Sequence, residues 1–156
     1  MATIRVQRED FDVGAEGAAL ARGGADVGAV VSFVGYCRDE GGRLAALELE
    51  HYPGMAEEEI ARVAREAERR WPLMGVTVIH RHGRLVPGDN IVLVVTAASH
   101  RGDAFAAAEF LMDYLKTRAP FWKQEERPEG TTWVAAKDTD DVAAERWEKP
   151  GRHAAE

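Results

Sequence analysis

Two helical periodicities, each stopped by a proline and each preceded by strand-like runs, constrain this chain most. In Met55 to Trp71 the apolar positions Ile60, Val63, Ala64 and Ala67 make one stripe ahead of Pro72. In Asp103 to Lys116 the residues Phe105, Ala108, Leu111, Met112 and Leu115 recur at core spacing ahead of Pro120. Proline lacks the amide hydrogen that a continuing helix needs, so both helices must stop there.

Around these helices the strand signals come in pairs. "GAVVSFVG", Gly28 to Gly35, is a β-branched run bounded by glycines, and Leu44 to Tyr52 alternates apolar and acidic residues, so the two are expected to pair as neighbours. Val76 to His80 and Ile91 to Ala98 are expected to form a second hairpin through the turn chemistry of Pro87-Gly88-Asp89. Phe121 to Glu126 and Thr131 to Ala135 flank "RPEG" as a third. A short strand at Thr3 to Gln7, a helix over Ala15 to Arg22 capped by Asp12, and a last helix over Asp140 to Trp147 complete the reading. This order predicts an α+β domain over residues 1–147, with a mixed or antiparallel sheet and helices packed on it, and a disordered tail over 148–156.

At 156 residues the chain is long enough for one domain with a substantial core. Its 20 Lys+Arg against 27 Asp+Glu give a net charge of -7, which argues against general binding to nucleic acid or an anionic membrane. An anionic ligand must therefore be caught locally. A single cysteine, Cys37, rules out an intrachain disulfide and a Cys-rich metal centre, and fits a reducing cytoplasm. No apolar run approaches the roughly 18–20 residues that span a bilayer. The expectation is an intracellular, cytoplasmic protein.

Three segments concentrate basic residues where ligands are usually met. In "MDYLKTRAPFWKQE", Lys116 ends a helix and Lys123 lies on the following strand, so the Pro120 bend can bring both to one pocket. Strand alternation puts Phe121, Lys123 and Glu125 on one face and Trp122, Gln124 and Glu126 on the other. The plainer reading is that Lys116 offsets the negative end of the helix dipole and Lys123 is solvated. In "ASHRGDAF", backbone amides at a helix start stand beside His100 and Arg101, a cradle for phosphate, unless Ser99 or Asp103 is simply a cap. In "FVGYCRDEGG", Arg38 occupies a loop directly after a buried strand, where an ordinary hairpin connection is the alternative. His80 and His82 share a strand face, yet no third ligand is spaced to complete a zinc site, so no metal is expected.

Taken together, "LEHYPGM", "RWPL", "VTVIHRHG", "PGDNIV", "SHR" and "MDYLKTRAPFWKQE" closely resemble, in the same order, the large, catalytic subunit of molybdopterin synthase. The likeness runs from about Gly28 to Trp147. It implies an α/β hammerhead-type fold and a homodimer of large subunits, each bound by a small ubiquitin-like sulfur carrier, making a heterotetramer. In that family the carrier ends in a Gly-Gly thiocarboxylate, and two sulfur transfers convert cyclic pyranopterin monophosphate into the dithiolene of molybdopterin. No resident cofactor is implied. Because this chain ends in "RHAAE", it resembles the acceptor side and not the carrier.

Position by position, the resemblance implies catalytic roles for Lys116 and Lys123. It implies a substrate-binding set of Tyr36, Cys37, Arg38, His100, Arg101, Lys116, Lys123, Gln124 and Glu125, part of it reaching across the dimer. At Tyr36-Cys37 the sequence departs from the family pattern, leaving backbone contacts as what carries over. Lys116 would polarise the thiocarboxylate carbonyl and stabilise the charge that develops there. Lys123 would assist proton transfer or orient substrate. A different class of function, a non-catalytic module docking an acidic partner C-terminus, stays open from the residues alone. An unrelated nucleotide-binding enzyme is disfavoured by the absence of a P-loop or G-x-G-x-x-G fingerprint.

Overall fold

The computed structural model describes residues 2–118, 120–134 and 138–148. Eight strands run as β1 (Ala2–Gln7), β2 (Ala29–Tyr36), β3 (Ala46–His51), β4 (Leu73–Arg81), β5 (Gly83–Leu85), β6 (Asn90–Ala98), β7 (Phe121–Arg127) and β8 (Gly130–Val134). The helices are α1 (Val13–Ala21), α2 (Met55–Arg70), α3 (Arg101–Arg118) and α4 (Asp138–Glu145). The expected α+β class holds, with the strands divided between two four-stranded sheets, ordered β1-β4-β6-β2 and β5-β3-β7-β8. The β1–β4 pair is parallel and the other pairs are antiparallel, so the architecture is mixed.

The first sheet is covered on both faces, which is why its central strands β4 and β6 are apolar along most of their length. On β6 and β4, Val92, Val94, Val76 and Val78 point toward Ile60, Val63, Ala64 and Ala67 of α2 and Ala107, Phe110 and Leu111 of α3. The alternate residues Leu93, Val95 and Ile79 pack with Val13 and Leu20 of α1 and with Val30 and Val34. The second sheet has its own small core of Leu47, Leu49, Leu85, Leu44 and Cys37.

That division overturns one expected pairing. β2 and β3 are not neighbours: β2 pairs with β6, and β3 lies between β5 and β7. The physical reason is visible in their patterns. The largely apolar run of β2, interrupted by Ser32, suits the edge of a sheet covered by helices on both sides, whereas the alternation of β3 suits one buried face, with Leu47 and Leu49 inside and Glu50 exposed. β4 and β6 do pair antiparallel, but their connection is more than a turn, because β5 crosses to the second sheet within it. The β7–β8 hairpin forms as expected.

Phe105 is not a core residue; it is 61% exposed. The buried stripe of α3 runs through Ala104, Ala107, Ala108, Leu111 and Leu115, and Phe105 stands one residue outside it. The expected last helix is α4, ending in a 3-10 turn at Arg146–Glu148. Glu148, the first residue of the expected tail, belongs to that turn, and residues 149–156 lie outside the described residues.

Trp147 anchors this last segment. It is 3% exposed, meets Trp71 and Phe110 edge-on with both ring centroids 5.6 Å away, and donates its indole N–H to Asp113 at 2.6 Å. Trp147→Ala would leave a cavity and remove one of the hydrogen bonds to Asp113, which Arg146 still contacts at 2.7 Å, and is expected to lower stability by about 3–5 kcal/mol, read as a reduced denaturant midpoint.

Candidate active site

The Pro120 bend is built as the sequence implied. α3 ends with Lys116 exposed on its last turn beside Arg118, which suits the negative end of the helix dipole. β7 begins at Phe121, and its register with β3 sets which side chains share a face. Phe121 pairs with His51, Lys123 with Leu49 and Glu125 with Leu47. Paired residues of an antiparallel ladder point the same way, so Lys123 and Glu125 lie on the face that carries the Leu47–Leu49–Cys37 core. Gln124, one residue out of phase, lies on the opposite face between Glu48 and Trp133. Its side chain therefore does not share a face with Lys123.

The Arg38 loop reaches that same face. Cys37 is held by two backbone bonds, its N–H to the Asp89 carbonyl at 2.8 Å and its carbonyl from the Gly88 N–H at 2.8 Å. Burial first, and then Asp89, raise the thiol pKa above its ordinary value, while Lys123 opposes the shift. The thiol stays protonated at neutral pH and is no nucleophile. Cys37 packs in one cluster with Leu47 and Leu49, the β3 partners of Glu125 and Lys123, which brings the loop to this face of the second sheet. Tyr36 is 59% exposed at the end of β2, and Arg38 is exposed one residue past Cys37. Glu125 accepts from Arg127 at 2.9 and 3.1 Å, so its charge is already offset.

Lys116 joins this group through aromatic side chains that sequence reasoning left aside. His80 of β4 stacks on Phe121 with centroids 3.8 Å apart and planes 15° from parallel. The Lys116 charge is felt at His80. Phe121 and Lys123 are two residues apart on one face, about 6.6 Å along the strand. Lys116 and Lys123 thus stand on either side of the Pro120 connection, one on the last turn of α3 and the other on the Phe121 face of β7. His51 adds a further ring, 5.9 Å from Phe121 and 4.3 Å from His82. Sequence spacing gave no signal for this contact, because it arises only when β3 pairs with β7. Among the described residues no group of three or more His, Cys, Asp or Glu is arranged to hold a metal; His80 and His51 stack on Phe121, and His51 meets His82 at a tilt of 49°.

His80 is half-buried, and its Nδ1–H donates to the Arg81 carbonyl at 2.8 Å. Burial dominates its titration. With lesser contributions from Lys116, His51 and His82, and against the Arg81 hydrogen bond, it brings the pKa from 6.5 down to about 4. The uncharged ring therefore stabilises the fold fully above pH 6.5, and this contribution drains away as pH falls toward about 4 because the unfolded chain binds the proton first. Over that interval His80→Phe is expected to lose stability less steeply than the parent, as measured by thermal unfolding at a series of pH values.

His100 and Arg101 stand elsewhere. Both are exposed at the start of α3, and fifteen residues of helix separate Arg101 from Lys116. At about 1.5 Å per residue that is about 22 Å, so a single chain does not bring them beside Lys116. Their position is tightly set: a β-carbon on Gly28 would lie 2.1 Å from the Ser99 carbonyl oxygen, a separation only glycine permits. A separate groove of about 380 Å³, lined by Met55, Glu58, Glu59, Arg62, Arg65, Arg118 and Pro120, contains none of the residues expected from sequence.

With this geometry in place, comparison with known proteins is decisive. The family model described as MoaE protein matches residues 6–118, which include α3 with both its ends and the Arg38 loop. The chain belongs to the MoaE family. The molybdopterin synthase catalytic subunit of Mesorhizobium japonicum is 69% identical over 147 residues, covering 93% of this chain and 92% of that protein. The MoaE structure from Burkholderia ambifaria superposes with a TM-score of 0.83 at 57% identity, covering 96% of this chain and 99% of that one. A molybdopterin synthase structure from Staphylococcus aureus superposes at 0.78 with 30% identity, covering 84% and 96%. As a MoaE chain it belongs among the catalytic subunits of molybdopterin synthase, in molybdenum cofactor biosynthesis. No helix among the described residues is long and apolar enough to cross a membrane.

Proposed function

We propose that this chain is the sulfurtransferase subunit that accepts sulfur from the C-terminal thiocarboxylate of a small Gly-Gly-ending carrier and delivers it, twice, to cyclic pyranopterin monophosphate. The observation that carries this reading is the pair Lys116 and Lys123, set about the Pro120 bend and one face of β7 in a MoaE-family chain. A carrier tail threaded along that face would lie between the two ammonium groups. Once the carrier sulfur has bonded to a pterin carbon, water adds to the acyl carbon of the resulting thioester; Lys116 holds the negative charge that grows on the carbonyl oxygen in that addition, and collapse of the adduct breaks the C–S bond, leaving sulfur on the pterin and a carboxylate on the carrier. Lys123, with Glu125 beside it, orients the pterin and relays protons. Arg38, together with the backbone of Tyr36 and Cys37, closes the end of the face.

The length of α3 supports a site completed by a second copy. His100 and Arg101, about 22 Å from Lys116 in their own chain, serve the pocket of the other protomer, where they hold the substrate phosphate. The surface beside them suits self-association. β2 is an edge strand with no charged residue in AVVSFVGY, Phe33 on it is 41% exposed, and Phe105 is exposed on α3. Such an edge is normally covered. The pterin phosphate is an anion caught by a local basic group in an acidic chain, as the net charge of -7 demands.

The direct experiment combines the purified chain with thiocarboxylated carrier and cyclic pyranopterin monophosphate. Dithiolene product with thiocarboxylate, and none with the carrier as a plain carboxylate, is the expected result. A chain that binds the carrier tail yet transfers no sulfur would be a docking module instead.

A further inference from the structure

We propose that His80 is a positioning residue of this site: pinned to the Arg81 carbonyl and flat against Phe121, its ring fixes the strand start that carries Lys123 relative to the helix end that carries Lys116. The proposal rests on the reading above for which lysines react.

The geometry is specific. His80 lies on β4 of the first sheet, and Phe121 opens β7 of the second, so their stack at 3.8 Å and 15° joins the two sheets at the bend. On β7's neighbour β3, His51 meets the same phenyl ring at 5.9 Å and 29°, so Phe121 is contacted by imidazoles from both sheets. Pro120 has no amide hydrogen with which to lengthen the strand ladder backward, which leaves Phe121 as the residue that sets where β7 begins. Lys123 follows one strand period later on the same face.

The hydrogen bond fixes the chemistry of the ring as well as its angle. A carbonyl only accepts, so Nδ1 carries the hydrogen in the 2.8 Å contact with Arg81 O, and a neutral ring then keeps a lone pair on Nε2. Burial keeps that ring neutral through the ordinary pH range. The Lys116 ammonium therefore has an uncharged neighbour, where a protonated imidazole would oppose it. The other groups bearing on His80 are the imidazoles of His51 and His82, and His82 is itself shifted downward, first by burial and then by His51 and Arg8.

A histidine that merely fills space would affect stability alone, which gives the test its discrimination. In the sulfur-transfer assay, His80→Ala that remains folded by circular dichroism is expected to lose at least about tenfold in kcat with KM for the pterin unchanged, because small displacements of reacting groups are costly. His80→Phe, which keeps the stack, is expected to recover to within about threefold of the parent. Folded His80→Ala with kcat within about twofold of the parent, or His80→Phe as impaired as His80→Ala, would overturn the proposal. An arm independent of activity is nitrogen-15 NMR of the imidazoles, expected to show His80 as the neutral Nδ1–H form between about pH 5.5 and 8. A charged ring or the Nε2–H form there would overturn it too. Should the parent chain transfer no sulfur, the functional reading fails by itself while the NMR result still judges the ring's state.

Discussion

Lys116→Ala is expected to lower the rate of sulfur transfer by about 10²–10³-fold, the usual effect of removing one group that stabilises charge developing in an acyl-transfer step. The fold should be unaffected, since Lys116 is exposed on the last turn of α3 and no shape-filling contact depends on its ammonium. Carrier binding should persist, because a docked tail still meets Lys123 and the Arg38 loop. Single-turnover transfer from thiocarboxylated carrier, followed by product fluorescence after oxidation, separates this from a binding defect. A variant that keeps the parent rate removes Lys116 from the mechanism.

Arg101→Ala should act on the substrate instead. Losing one charge-assisted contact to phosphate is expected to weaken pterin binding by about 1.5–3 kcal/mol, or roughly 10–100-fold in Kd. Isothermal titration with cyclic pyranopterin monophosphate reads it directly. Unchanged affinity would move the phosphate site away from the start of α3.

Much of the bend on which these predictions turn was legible in the sequence, because proline's missing amide and the helical periodicity act locally. So was the alternation that sets Lys123 and Glu125 against Gln124, since the strand period is two whatever the tertiary context. The partner of each strand was not. Adjacency suggested β2 with β3, but burial on one face or two decided otherwise, and that depends on where the helices come to lie. Phe105 has the right residue type for a core at the wrong angle on α3. His51 could not be joined to Phe121 and His82 without the β3–β7 register. The separation of Arg101 from Lys116 was implicit in the length of one uninterrupted helix, although charge complementarity alone draws both into a single pocket.

That separation gives the account its most direct test. Chains carrying Lys116→Ala and chains carrying Arg101→Ala, each poorly active alone when the pterin is held well below the weakened Kd of the Arg101→Ala chain, are unfolded together in equal amounts, refolded and assayed with thiocarboxylated carrier. If each pocket joins Lys116 of one protomer to Arg101 of the other, half of the dimers are mixed and each has one intact site, so about a quarter of the parent activity should return. A mixture no more active than its components, with mixed dimers shown to be present, would contradict a site shared between two copies.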